Sequence, residues 1–271
     1  MSDIILKICF LCGEALDANI DKDHVVQRQF VRGQPKQRGL DYTGTIEVHE
    51  SCNDRFGDKS SNAESICPKT LQILKLRFNE KYLFRQKKDN PEFKIMAFTE
   101  SDLKGFTKSD FEFFEFNDGR KLSYSEITSP DFYKNKTPLD PFKKPINVAL
   151  SVLAKSAAAL LFKRHSFYPL EKWNIFATSF LGDPTIDYDP VLGETKPFYP
   201  GVKAWVKEYR NGDWFCAYKL DEFQVYFVFT KTESLSNVDE LKIIFPNNDI
   251  VFFGSKKLID MVGYDWASNI Y

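Results

Sequence analysis

The sequence is short of net charge and of histidine: 37 Lys and Arg stand against 38 Asp and Glu, and only three His are found in 271 residues. A formal charge of −1 excludes a polycation that coats nucleic acid through bulk charge, so any such affinity has to come from a local patch. Long apolar runs are also missing. The nearest, Asn147 to Phe162, is broken by Lys155 and falls short of the roughly 20 apolar residues that span a bilayer, so no membrane helix is expected. A good secretory signal is lacking too, since Asp3 and Lys7 interrupt the apolar start and no basic segment precedes it. A cytoplasmic protein is the default expectation. Cysteines number five, an odd count, and a chain this long can bury a core without disulfides, which favours reduced thiols or metal ligands. Internal repeats and low-complexity runs are absent.

What is present is a 43% apolar, 28% charged composition that excludes a disordered or fibrous chain. Phenylalanine is abundant at 26 residues and, with 12 Tyr and 4 Trp, favours strands and a bulky core. Three zones follow from composition. Residues 1–68 hold four of the five Cys and two of the three His, so chemistry is sought there first. Residues 69–146 form a connecting region, with a helix predicted near Lys69 to Leu83, strands around FKIMAFT and FEFFEF, and a stretch punctuated by Pro130, Pro138, Pro141 and Pro145. Residues 147–271 read as an α+β domain. Its helix is predicted to start from an Asn147 N-cap and to end at Lys163, Arg164 and His165, buried because its apolar faces are broad. Beyond Gly201, short aromatic and β-branched runs separated by NG, DE and NN predict an antiparallel sheet with period-2 alternation.

Cys9-Phe10-Leu11-Cys12 is a CxxC, whose two-residue gap lets both thiolates reach one metal. His49-Glu50-Ser51-Cys52 adds an HxxC, which one helical turn places on a single face. Together they form one Cys3His set for tetrahedral zinc. Between the halves lies Asp23-His24, and Asn53 follows the last sulfur. An imidazole suits the activation of a water, while carboxylate and amide oxygens suit Mg²⁺ or Mn²⁺ with open water positions.

The order CxxC, DH, HxxCN resembles the HNH endonuclease family in its zinc-stapled subgroup, over residues 8–60. That resemblance implies a ββα-metal module with a zinc knuckle, followed here by an α+β domain with an antiparallel sheet. It also implies His24 as general base, Asp23 and Asn53 as ligands of a catalytic Mg²⁺ or Mn²⁺, and Cys9, Cys12, His49 and Cys52 as holders of a structural Zn²⁺. Asn53 stands in for the family's final His, and His49 fills a place where many members have Cys. Two departures are visible. Gln27 occupies the position of a common Pro, and Gly44 lies where the Asn that orients the base usually sits, so a backbone carbonyl, Thr43, Thr45 or another group has to take that part.

The segment from Val25 to Leu40 carries Arg28, Arg32, Lys36 and Arg38 and no acid; each can neutralise a backbone phosphate, and the alternative is a solvated insertion loop. A second basic segment, Lys75 to Lys88, reads better as a solvated helix. Cys67 and Cys216 are expected to pack in the core, His165 to cap its helix, and Trp173, Trp205, Trp214 and Trp266 to be core residues; Glu64 is a weaker candidate for a further metal-site carboxylate. The expected activity is hydrolysis of phosphodiester bonds in double-stranded DNA, as in restriction or phage defence, with a homodimer as one way to cut both strands. The competing expectation is a zinc-stapled protein that binds nucleic acid without cutting it.

Overall fold

The computed structural model describes residues 7–16, 19–25, 44–57, 63–64, 66–67, 70–71, 85–87, 90–94, 119–121, 123, 143–165, 173–178, 196–199, 202–210, 213–220, 223–230, 235–244 and 250–262. Helices and antiparallel sheets are both present, an α+β arrangement. Near the N-terminus β1 (Ile20–His24) pairs antiparallel with β2 (Thr45–His49), and the short helix α1 (Glu50–Asp54) follows β2 directly. Asp21, Asp23, Ile46 and Val48 share one face of this pair, because Asp23 stands opposite Ile46 and Asp21 opposite Val48. That face turns inward: Asp23, Ile46 and Val48 are buried, whereas Lys22, His24 and Thr45 are exposed.

A second antiparallel pair joins β3 (Arg85–Lys87) to β4 (Asn90–Lys94). Arg85–Lys87 therefore belong to a strand, which corrects the solvated-helix reading at that end of the second basic segment. β4 contains the start of FKIMAFT but begins earlier, at Asn90. Most of the helix expected over Lys69 to Leu83 and the whole of FEFFEF lie outside the described residues, although Thr70 and Leu71 are helical.

The long helix α2 (Lys143–His165) begins four residues before the expected cap, so Asn147 lies within it. Pro145 does not prevent this, since a first-turn residue has no intrahelical N–H bond to lose. Almost every residue from Asn147 to Leu161 is buried, as the lack of a polar stripe predicts. Among the described residues no helix is long and apolar enough to cross a membrane.

Among the described residues the main sheet has six antiparallel strands, β5 (Trp173–Thr178), β6 (Lys196–Tyr199), β7 (Val202–Arg210), β8 (Asp213–Leu220), β9 (Phe223–Thr230) and β10 (Ile250–Lys256). Their order is β10-β5-β9-β8-β7-β6. NG and DE are the two-residue connections from β7 to β8 and from β8 to β9, as expected of hairpins. The alternation is not an inside-outside one, however. Val225 to Thr230 are all buried, because both faces of the sheet are covered. On one face Ile175, Cys216, Phe227, Phe229 and Phe253 join a core shared with α2 and with Phe10, Val25, Val48 and Phe56 of the N-terminal zone. On the other, Phe176, Phe215, Tyr226 and Phe252 pack with Val238 and Leu241 of α3 (Leu235–Ile244).

The chain ends its described course in a 3-10 turn, Leu258–Met261, which ties these parts together. Ile259 N–H donates to the Leu11 carbonyl at 2.9 Å, and the Ser151 hydroxyl of α2 donates to the Met261 carbonyl at 2.7 Å. All five cysteines are free, and Cys67 and Cys216 are buried packing residues as expected. Trp214 packs half-buried against the core. The side chains of Trp173, Trp205 and His165, and Trp266 as a whole, lie outside the described part.

Candidate metal centre and the adjoining polar cluster

Residues 7–16 form a tight hairpin around the CxxC. Ile8 bridges Ala15, Cys9 N–H donates to the Glu14 carbonyl at 2.9 Å, and Gly13 N–H donates to the Cys9 carbonyl at 2.8 Å. Gly13 makes this turn at φ +78°, a left-handed conformation that glycine adopts without Cβ strain. The loop lays Phe10 and Leu11 into the core, with the Phe10 ring 6.0 Å from that of Phe162 on α2. Cys9 and Cys12 are thereby aimed at the start of α1.

There they meet His49 and Cys52. The four ligand atoms of Cys9, Cys12, His49 and Cys52 lie within 4.8 Å of one another, and Cys12 Sγ is 3.3 Å from His49 Nδ1. Neighbouring ligands of a tetrahedral zinc with ordinary Zn–S and Zn–N bonds are about 3.3–3.8 Å apart, so a small closure encloses an ion. His49 Nε2 lies 3.0 Å from the Ala15 carbonyl oxygen. A carbonyl only accepts, so Nε2 carries the proton and Nδ1 offers its lone pair to the cluster. The sulfurs share protons unevenly. Cys9 is pushed down to about 4, first by a hydrogen bond from Cys52, while Cys52 is pushed up, first by holding that bond and then by burial. Burial is also the main cause that raises Cys12. Three sulfurs and one ring nitrogen this close together can hold a metal such as zinc, releasing thiol protons as it binds.

A second cluster adjoins the first through α1. Asn53 is the residue after Cys52 and turns about 100° farther around the helix, away from the sulfurs and toward β1 and α2. Its Nδ2 donates to Asp21 Oδ2 at 2.8 Å. Because that carboxylate accepts only, the amide orientation is set, and Asn53 Oδ1 faces the Lys155 ammonium at 3.5 Å. Lys155, on α2, has its side chain only 3% exposed. Its Nζ also lies 3.0 Å from Asp23 Oδ2 and 2.7 Å from Glu64 Oε1, and 4.6 Å from the centre of the Phe56 ring. Glu64 reaches this point because its N–H donates to the Phe56 carbonyl at 3.0 Å.

Asp23 Oδ2 is buried and makes no well-directed hydrogen bond, so the ammonium neutralises it by proximity rather than through an aligned N–H. Burial dominates its acidity and pushes the Asp23 carboxyl up, with the Lys155 charge opposing. Hard oxygen donors from Asp23, Asn53 and Glu64 thus converge on one cation position, filled here by an ammonium.

His24 is adjacent in sequence but leaves the opposite face of β1, exposed. It stands in register with Thr45, so these two side chains share the outer face. The Gly44 carbonyl accepts from Val25 N–H at 3.1 Å, extending the β1–β2 pairing just beyond His24. Among the described residues none hydrogen-bonds the His24 ring. Arg28, Arg32, Lys36 and Arg38 lie outside the described residues, in the connection whose two ends, Val25 and Gly44, meet beside His24. Sequence alone does not single out two participants, Asp21 and Lys155. The first is signalled by the D-x-D spacing that puts Asp21 on the face of Asp23; the second is a lone charge inside an apolar helix.

Comparison with protein-family models, curated proteins and solved structures finds no match to this chain.

Proposed function

We propose that the chain is a divalent-metal-dependent endonuclease of the HNH type that hydrolyses phosphodiester bonds in DNA, with a structural zinc at the Cys3His cluster. One observation carries this reading: Asp23 from β1 and Asn53 from α1 bring oxygen donors to a single cation position beside that cluster. The donors fit a hard ion, since Asp23 Oδ2 is a buried carboxylate oxygen without an aligned donor and Asn53 Oδ1 is held toward the cluster by Asp21. Asp23 and Asn53 would hold a Mg²⁺ or Mn²⁺ there, which would supply charge to stabilise the leaving oxygen.

The chain's own residues do the rest. His24, exposed at the end of β1, takes the proton of the attacking water, with Thr45 in register to restrict its ring in place of the absent Asn. Asp21 holds the Asn53 amide, and Cys9, Cys12, His49 and Cys52 hold β2, α1 and the CxxC hairpin in a constant relation. The binding-only reading is favoured by a specific observation, the Lys155 ammonium at the position a catalytic ion would take. A plasmid-nicking assay on zinc-loaded protein separates them. The nuclease nicks supercoiled DNA with Mn²⁺ or Mg²⁺ and not with EDTA, whereas a pure binder retards the plasmid and leaves it intact.

The basic segment gives a prediction of its own. With a near-neutral chain, phosphate contacts have to be gathered locally, and each phosphate neutralised contributes about 0.9 to the slope of log K against log salt for duplex DNA. Replacing Arg28, Arg32, Lys36 and Arg38 together by Ala is expected to flatten that slope by up to about 3.6 and to weaken binding on every sequence tested. Fluorescence-anisotropy titrations at several salt concentrations measure this; an unchanged slope removes the segment from the interface.

A further inference from the structure

Lys155 is the one described residue of α2 that brings a full positive charge into the buried interior next to the N-terminal zone. A buried lysine is costly unless its charge is met, and here it is met by three oxygens and an aromatic face: Glu64 at 2.7 Å, Asp23 at 3.0 Å, Asn53 at 3.5 Å and Phe56 at 4.6 Å. These are the distances of an ammonium. A divalent ion takes the same kind of oxygens at about 2.0–2.6 Å, so it has to sit at the centre of the same cage and draw it inward. Two cations at one buried centre repel strongly. Two carboxylates, Asp23 and Glu64, face a single ammonium, which leaves the cluster one positive charge short and attractive to an ion of higher charge.

We infer that Lys155 and a divalent cation are alternative occupants of one site: the ammonium is a built-in counterion that holds Asp23, Asn53 and Glu64 together, and a divalent ion binds by displacing it. The four-carbon stem lets the ammonium retreat without moving α2. Glu64, whose side chain is 31% exposed, marks the open side toward which it leaves. Lys155 is thus a positioning residue that sets divalent-ion affinity, carried on a helix remote in sequence from the DH and HxxCN motifs. The inference rests on the reading of Asp23 and Asn53 as the cation site, but its test needs no cleavage.

Mn²⁺ binding to zinc-loaded, full-length protein is measured by calorimetry and by the EPR signal of free Mn²⁺. Lys155→Met removes the competing charge and keeps much of the volume. It is expected to bind Mn²⁺ about tenfold or more tighter than wild type, the scale on which a close charge shifts a binding equilibrium, and to gain more in melting temperature from Mn²⁺ than wild type does. Asp23→Asn is expected to bind it more weakly. Equal or weaker binding by Lys155→Met, or no binding by either protein, overturns the inference. A second measurement uses wild type alone, in case Lys155→Met folds poorly. Acetic anhydride labelling read by mass spectrometry is expected to leave Lys155 protected without Mn²⁺ and to modify it at saturating Mn²⁺. Labelling that Mn²⁺ does not change sinks the displacement. Tightened binding in a protein that cuts no nucleic acid would retract the nuclease and keep the competition; cleavage with unchanged binding would do the reverse.

Discussion

Cys52→Ser is expected to lose the zinc and, with it, the ordered N-terminal zone. Cys52 is buried, and its sulfur joins three elements, the CxxC hairpin, the end of β2 and the start of α1. None of these is stable alone: α1 has five residues, far below what an isolated helix needs, and β1–β2 is a two-stranded pair of five residues each. Structural zinc supplies about 10–16 kcal/mol in zinc-finger peptides that fold only with the metal. The effect here should be smaller, because Phe10, Val25, Ile46, Val48 and Phe56 also pack into the shared core. Metal analysis should find one zinc per wild-type chain and close to none in Cys52→Ser, and the melting temperature should fall on mutation or on treatment with a strong chelator. Cys216→Ala, in the sheet core, should keep its zinc. A wild type purified without zinc, or a Cys52→Ser protein that keeps both metal and melting temperature, contradicts the assignment.

His24→Ala is expected to reduce the nicking rate by roughly 10²–10⁴-fold, the contribution of a positioned general base. Zinc content and melting temperature should not change, since His24 is exposed on the outer face of β1 and takes no part in the core. Asn53→Ala should lose activity differently, through weaker Mn²⁺ binding, and at some cost to stability because Asp21 loses the amide that it accepts from. Initial rates on supercoiled plasmid, measured over a series of Mn²⁺ concentrations, separate the two. Saturation with Mn²⁺ should restore part of the Asn53→Ala rate and none of the His24→Ala rate. Full activity in His24→Ala removes it from the mechanism.

The metal cluster was legible because its information is local. A CxxC and an HxxC state their geometry in their spacing, and the structure needed only to bring two short motifs together. The opposite orientation of Asp23 and His24 was legible for a similar reason, since adjacent strand residues take opposite faces. Lys155 was not. Its partners come from β1, α1 and the segment after it, and nothing in the sequence of α2 shows which of its faces meets them. The lone charge in an apolar helix announced a buried partner without naming one. The start of α2 is hard to place from sequence because Asn147 is a good cap by composition and Pro145 suits a linker, although a first helical turn also accepts proline. In β9 the alternating pattern was overread, because a strand covered on both faces needs apolar residues at every position.

Asp23 and Asn53 are proposed to form a divalent-cation site distinct from the zinc cluster next to it. Crystals of zinc-loaded protein soaked in Mn²⁺, with anomalous data collected at the zinc and manganese edges, test it most directly. Two separate peaks are expected, zinc among Cys9, Cys12, His49 and Cys52, and manganese bonded to Asp23 and Asn53 with the Lys155 ammonium withdrawn. A single zinc peak, with Lys155 still against Asp23 at saturating Mn²⁺, would contradict it.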